Sequence, residues 1–231
     1  MKQKTALAII HKNRESYNQM AGEFSASRAR FWDELTVLAE HAHEGAAVLD
    51  IGCGNGRFYS LVQKQKAHYT GIDNSEGLLS EARKQYPEGK FVTGDATALP
   101  FADSSFDTAY SFAVIHHIPS KALRTQFIRE ALRVLKPDAV LILTTWDLWQ
   151  AKYFFRLLRT AMRSIFQLSP LDVGDMILTF GKEKHLRYVH AFTIEELRRL
   201  LEENGFVVEK IEIIARKSGA ANIVAVARKK V

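Results

Sequence analysis

The chain has almost no cysteine: one residue, Cys53, in 231. A lone thiol excludes an intrachain disulfide framework and a cysteine-built zinc site, and it favours a cytoplasmic protein. Proline is scarce too, with five residues, and no repeat or low-complexity linker divides the chain. No apolar run approaches the roughly 18 residues that span a bilayer. The opening "MKQKTALAIIHKNRES" has too short an apolar stretch, with charges at once behind it. It reads as the start of an amphipathic helix, not as a signal peptide. Acidic side chains are outnumbered, 26 against 32 Lys and Arg, for a formal charge of +6 and a pI of about 9.4. That balance suits an acidic partner, although many basic proteins bind no nucleic acid.

What is present is 47% hydrophobic and 25% charged, the composition of a globular chain able to bury a sizeable core. The segment "ESYNQMAGEFSASRARFWDELTVLAEHAHEG" has apolar residues at helical spacing with a break near "GEFSAS", so two helices are expected, the second from Arg28 to His41. Short apolar runs then alternate with helices. "AAVLDIG", "HYTGID", "KFVTGD", "FDTAYSFAVI" and "AVLILTTW" read as strands, and "GRFYSLVQKQ", "SEGLLSEARKQY" and "KALRTQFIREALRVL" as helices, the last stopped by Pro137. That alternation means βαβ units and a parallel sheet covered on both faces. A helix follows from Thr193, with Glu196 at capping-box spacing and Gly205 as its stop. "VVEKIEII" and "NIVAVARK" close the chain as a hairpin. The expected fold is α/β, a seven-stranded doubly wound, mostly parallel sheet with a C-terminal antiparallel hairpin and N-terminal helices. It forms one domain over 1–231, with a helical cap over 1–44 and an inserted basic amphipathic segment over 149–190, long enough to be functional.

The first strand breaks into "DIGCGNGRF", a glycine loop at the place where open parallel sheets bind ligands. The spacing is Gly52-x-Gly54-x-Gly56, not the G-x-G-x-x-G of dinucleotide binders. Asp50, just before the loop, can meet an ammonium group. Asp73, ending the second strand, can accept from two ribose hydroxyls, and Asp95, after the third, from an adenine amino group. Phosphates would want cations, and the loop offers only Arg57. An adenosine with an amino-acid tail and no phosphate fits; S-adenosylmethionine is such a molecule.

The run "VLDIGCGNG…GID…GDATALPFADSSFD…SFAVIHHI…LRVLKP", about Val48 to Leu143, resembles the class I S-adenosylmethionine-dependent methyltransferases. The resemblance implies that Asp50, Gly52, Gly54 and Gly56 flank the methionine moiety, Asp73 and Asn74 the ribose, and Asp95 with Ala96 the adenine. Ser111 to Val114 would lie under the sulfonium. One departure stands out: the family's "LKPGG" is here Lys136-Pro137-Asp138-Ala139, which bears on the turn geometry.

The acceptor end is read from the residues just past strands four and five: His116 and His117, then Trp146 with Asp147. One of the histidines touches substrate, or the pair simply packs. "YNQMAGEFSASRARFW", "AVIHHIPSKALRTQFIREALRVLKP" and "LRYVHAFTIEEL" resemble the methyltransferases that esterify 5-carboxymethyluridine at the tRNA wobble position. That resemblance implies tRNA as acceptor and, as in eukaryotic members, a small zinc-binding partner subunit. It makes His116 and Arg187 catalytic candidates, and Arg28, His117, Trp146, Tyr188 and His190 substrate-side candidates. A carboxymethyl group is ionised at neutral pH, with a pKa near that of Glu, about 4.3, so it needs a cation and no general base. Arg187 could instead sit in a surface ion pair. In "WQAKYFFRLLRTAMRSIF", Lys152, Arg156, Arg159 and Arg163 share one helix face beside an apolar side of Phe154, Leu157, Leu158, Ala161 and Ile165. Arg156 and Arg159 are candidate contacts to a phosphate backbone. The same helix could lie on an anionic membrane near a lipid-like acceptor such as a quinone precursor, or pack with a solvated basic face. No metal site is expected.

Overall fold

In the computed structural model, which describes every residue except Ala29, Gln167, Lys182, Ser218 and Val231, the run at Ala47–Ile51 forms β1 with its last four residues buried. Side chains alternate across a strand, so this run feeds two layers. Val48 joins Leu35, Phe58 and Tyr110 on one face, while Leu49 and Ile51 join Phe127, Leu141 and Phe192 on the other. A strand buried on both faces reads as a continuous apolar run.

Ahead of β1 the chain forms α1 (Gln3–Gln19), α2 (Ala21–Ser27) and a 3-10 stretch, Asp33–His41. The expected helix from Arg28 to His41 is therefore corrected: the break falls at Met20, "GEFSAS" lies inside α2, and the later stretch is 3-10. Leu35, Leu38, Ala39 and Ala42 are buried at the i, i+3, i+4, i+7 spacing that an α-helical face also shows, so the pattern marks a helical face without disclosing its 3-10 winding.

Beyond the glycine loop, α3 (Tyr59–Lys64), β2 (His68–Asp73), α4 (Glu76–Gln85), β3 (Lys90–Thr93), β4 (Phe106–Phe112), α5 (Lys121–Val134) and β5 (Leu135–Trp146) complete the parallel part. α5 ends before Pro137, not at it. Leu135 is already extended, with φ −78 and ψ 140, and Pro137 is the third residue of β5. Proline disfavours helical backbone in the residue before it, and here the extended conformation begins one residue earlier still.

The segment after β5 forms α6 (Ala151–Ile165) and a hairpin, β6 (Asp175–Phe180) with β7 (His185–His190), which is a separate two-stranded sheet. Leu148, Leu157, Met176, Leu178, Val189 and Ala191 give it a small core of its own. The sequence pattern shows only a basic amphipathic segment here and does not disclose the hairpin. α7 (Ile194–Glu202), capped by Thr193, leads into β8 (Phe206–Ala215) and β9 (Ala221–Lys229). Glu196 completes only half of the expected capping box: its amide takes the Thr193 hydroxyl, while its carboxylate is drawn to His190.

The main sheet has seven strands in the order β3-β2-β1-β4-β5-β9-β8, with β9 antiparallel to both β5 and β8. The order reverses between β1 and β4, which opens a crevice at their carboxyl ends. Among the described residues no helix is long and apolar enough to cross a membrane.

Asp138, where the resembling family carries glycine, adopts φ 60, and its carbonyl accepts from Arg228 at 2.7 Å. Aspartate tolerates this left-handed backbone better than branched residues do. Asp138→Val should therefore cost about 1–2 kcal/mol, whereas Asp138→Gly should be tolerated. Urea unfolding of both variants checks this, and equal losses would contradict it.

Candidate active site

β1 delivers Asp50 to the crevice with its side chain buried, and the Tyr69 hydroxyl donates to Oδ2 at 2.8 Å. Burial, only partly offset by that hydrogen bond, pushes its carboxyl up to about 7. The chain then turns through Gly52, Gly54 and Gly56, all with positive φ. At Gly52 the need is twofold: φ is 75 and a Cβ would lie 2.3 Å from Val114 Cγ2. Any side chain there would be strained and would collide with the cleft wall.

Asp73, at the end of β2, accepts Gly54 N at 2.9 Å on one oxygen and Ser75 N at 2.9 Å on the other. A carboxylate has about four acceptor positions, so acceptor capacity remains for a ligand hydroxyl. Asp95 follows β3 and is held by Thr97, whose amide and hydroxyl both donate to Oδ1 at 2.8 Å. Asp50, Asp73, Asn74, Asp95 and Ala96 all line one cleft with Gly52 and Gly54. Phe112, Ala113 and Val114 line it too, but Ser111 does not: it is fully buried in β4 with an unpartnered hydroxyl.

These residues fit S-adenosylmethionine on the observed geometry. The bare turn admits a ligand where a Cβ would fill the space, Asp50 lacks a cationic partner within hydrogen-bonding reach among the described residues, and Asp73 has acceptor capacity left. The group would bring an electrophilic methyl; the chain brings the acceptors that hold it.

At the other end of the cleft the histidines are reassigned. His117 lines the cleft and His116 does not. His117 Nδ1 lies 2.9 Å from the Tyr188 carbonyl, to which only a protonated nitrogen can bond, leaving Nε2 to accept from the Tyr17 hydroxyl at 2.9 Å. Burial and then the charge of Arg187 pull its pKa down to about 3. His116 lies wholly buried behind it, bonded to Thr145 Oγ1 at 3.1 Å and held well below its usual pKa by burial and by His117. Both rings are neutral, so neither supplies a cation and the catalytic assignment of His116 loses its geometric basis.

Tyr188 and His190 also turn away from the cleft. They share one side of β7 and both bond buried Asp175, at 2.6 and 2.7 Å. Glu196 takes the other nitrogen of His190 at 2.9 Å. Burial acts to lower the pKa of His190, but the two carboxylates outweigh it and the net shift is upward. This cluster fastens the hairpin to α7.

Arg187, just before Tyr188 and on the opposite side of the strand, does reach the cleft. Its guanidinium lies 4.4 Å from the Phe180 ring and 5.2 Å from Trp146. Only 5% of the residue is exposed, and Nε and Nη1 are buried without a hydrogen-bond partner. Arg28 lies over the same Phe180 ring at 4.6 Å and over Phe24 at 4.5 Å. Burial and then Arg187 lower its pKa. Desolvated cations without anions are costly, and these two face the space beside the methyl-donor end. Arg156 and Arg159 lie on exposed α6, outside the cleft. Sequence reasoning misses Tyr17, Trp32 and Arg216, and values Arg57 only as a poor phosphate ligand; all four line the cleft.

Comparison with known proteins fits this geometry. The methyltransferase-domain family model matches residues 49–143. A protein of Encephalitozoon cuniculi (strain GB-M1) that carries a methyltransferase name is 34% identical over 194 residues, 83% of this chain and 85% of that protein. The tRNA (carboxymethyluridine(34)-5-O)-methyltransferase of Saccharomyces cerevisiae is 31% identical over 141 residues, 61% of this chain. The chain spans about half the length of that relative, 49%. The crystal structure of a SAM-dependent methyltransferase from Methanosarcina mazei superposes with a TM-score of 0.70 at 25% identity, covering 87% of this chain and 99% of that one.

An ammonium group needs Asp50 ionised. Cofactor affinity should therefore be full above about pH 7 and fall by up to tenfold per pH unit below it. Asp50→Asn should bind weakly and lose that dependence. Calorimetry with S-adenosylhomocysteine across this range is the check, and a flat wild-type profile would contradict the ammonium assignment.

Proposed function

This chain belongs to the S-adenosylmethionine-dependent methyltransferases, and on that premise we propose that it esterifies the carboxymethyl group of a modified uridine at the tRNA wobble position. The observation that carries this reading is Arg187: a buried guanidinium with two nitrogens unpartnered among the described residues, joined by Arg28, beside His117, whose two ring nitrogens are both engaged, and His116, which lies behind it outside the cleft. That combination suits an acceptor that arrives already anionic. A carboxylate is its own nucleophile, so the site needs to fix it, strip it of water and aim it. Arg187 offers a planar donor pair to the carboxylate, Trp146 and Phe180 hold the guanidinium plane, and His117, tied to Tyr17 and Tyr188, closes the wall without exchanging a proton. The likeness to the yeast wobble-uridine enzyme supports the nucleotide. The family resemblance adds a small zinc-binding activator subunit as a partner to be sought by co-purification.

Nucleoside mass spectrometry of tRNA from cells with and without the gene, with transfer of labelled methyl to the deletion-strain tRNA, decides the acceptor. An unchanged wobble nucleoside and no label would end this reading. Arg187→Ala should lower kcat/KM by roughly 10- to 100-fold, the range for a hydrogen bond to a charged group, and Arg187→Lys should restore little of it because a single ammonium cannot present the fork. With cofactor saturating, kcat should be flat from about pH 6 to 8, since His117, near 3, does not titrate there. A rise with a midpoint near 6.5 would indicate a histidine base instead.

A second reading has its own observation. The apolar side expected on α6 divides in two: Leu157 is buried against the hairpin core, while Phe154, Phe155, Leu158, Met162 and Ile165 are exposed, Phe155 at 80%. They run beside Lys152, Arg156, Arg159 and Arg163. Such a face suits an anionic bilayer and a lipid-like acceptor, whereas the cationic stripe alone suits a phosphate backbone. Arg156→Glu with Arg159→Glu should weaken tRNA binding and leave S-adenosylhomocysteine binding intact. Flotation with anionic vesicles, with no tRNA retained, would favour the lipid acceptor.

A further inference from the structure

Four arginines, Arg28, Arg57, Arg187 and Arg216, line the cleft, and none of them makes an ion pair among the described residues. They fall into two pairs. Arg28 and Arg187 share the Phe180 ring. Arg57 and Arg216 share Trp32, with their guanidinium carbons 3.9 and 5.0 Å from its centroid. Three separate segments build the second pair. Trp32 precedes the 3-10 stretch and is steadied by Phe31, itself packed on Phe58 at 5.1 Å and Phe112 at 4.8 Å. Arg57 follows the last loop glycine. Arg216 stands in the β8–β9 connection, where its amide donates to the Ala220 carbonyl at 2.7 Å. The next amide, Lys217 N, donates to Glu34 at 2.8 Å and so ties that connection to the 3-10 stretch.

The cations are held there against a cost. Burial, then Arg28, lowers Arg57 to about 10. Burial lowers Arg216 too, against the nearby charge of exposed Glu34, and its Nε is buried with no hydrogen-bond partner. Asp50 is the carboxylate whose charge reaches Arg57. The cofactor brings one carboxylate, and a carboxymethyl acceptor brings a second. Asp50, Asp73 and Asp95 line the same cleft, yet none of them forms an ion pair with Arg57 or Arg216 among the described residues. The donor geometry of paired guanidiniums matches phosphate.

We propose that Arg57, Arg216 and Trp32 form a second anion subsite that takes a backbone phosphate next to the acceptor nucleotide, so that the cleft selects a nucleotide within a chain over a free nucleoside. Its occupant rests on the tRNA reading above; the subsite itself rests on the two unpaired cations and their shared ring.

The test uses Arg216→Gln, because Arg57 adjoins the glycine loop. With the protein saturated in S-adenosylhomocysteine, an anticodon stem-loop should bind the variant about tenfold more weakly. The slope of log affinity against log salt should fall by about 0.7, one single-stranded phosphate contact. Affinity for S-adenosylhomocysteine should not change. Unchanged stem-loop affinity and slope would overturn the subsite. So would a tenfold loss of S-adenosylhomocysteine affinity with RNA binding intact, which would give the pair to the cofactor carboxylate. If the wild type binds no stem-loop, inorganic phosphate is the deciding probe. Tryptophan quenching by phosphate that is lost in both Arg216→Gln and Trp32→Phe keeps the subsite and removes the tRNA reading. No quenching removes both.

Discussion

Asp73 accepts backbone N–H groups from two different turns, Gly54 at 2.9 Å and Ser75 at 2.9 Å, and the rest of the site depends on that double attachment. Gly54 belongs to the loop that leaves β1; Ser75 caps α4 through Leu78 N. One carboxylate therefore locks the glycine turn to the helix that follows β2, at the point where strand order reverses. The Asn18 amide oxygen extends the lock, accepting from Ser75 Oγ at 2.8 Å and Gly77 N at 3.1 Å. The N-terminal helix pair is thus tied to the same corner. A loop so rich in glycine would carry a large conformational entropy if it were free, so its usefulness as a rigid cradle comes from these bonds rather than from its own sequence.

The opposite end is organised by a different constraint. Asn13, buried in α1, accepts from Tyr188 N at 2.9 Å and donates toward the Tyr188 and His117 carbonyls at 3.5 and 3.3 Å, and Ser16 donates to the Leu186 carbonyl at 2.9 Å. A helix amide thereby satisfies edge groups of β7 that would otherwise be buried and unpaired. Polar recognition, not an apolar stripe, seats α1. It also positions Tyr17 against His117, so cap, hairpin and histidine turn form one wall.

How far the fold and the site are legible in the sequence depends on the kind of force involved. β2 is legible residue for residue, and the other central strands closely, because burial on both faces writes itself as an apolar run. Asp50, Asp73 and Asp95 are legible for the same reason: each sits at or just beyond the end of such a run, and strand ends converge in this topology. α1 is legible as a helix but not in its placement, which depends on Asn13 and Ser16 meeting β7, more than 160 positions away in the chain, and the 3-10 winding of the next stretch escapes because its buried positions have the spacing of an α-helical face. The β6–β7 hairpin is hidden because Asp175, Tyr188 and His190, buried together, look like polar positions until their mutual hydrogen bonds are known. Glu196 has the spacing to close a capping box and instead answers His190, a stronger partner by virtue of charge.

The arginines show the limit most clearly. Arg28, Arg57, Arg187 and Arg216 come from four distant segments, and nothing local distinguishes them from the other basic residues of a chain with pI about 9.4. Their common property is the absence of an ion pair among the described residues, a property that exists only in three dimensions. Other arginines of low exposure are paired: Arg133 meets Glu130 and Asp103 at 2.7 and 2.8 Å, and buried Arg124 has Glu196 at 3.7 Å. Arg187 is as buried as Arg124 and has aromatic rings but no carboxylate. Burial is the main cause that lowers the pKa of His116 and His117, and the charge of Arg187 adds to it in both.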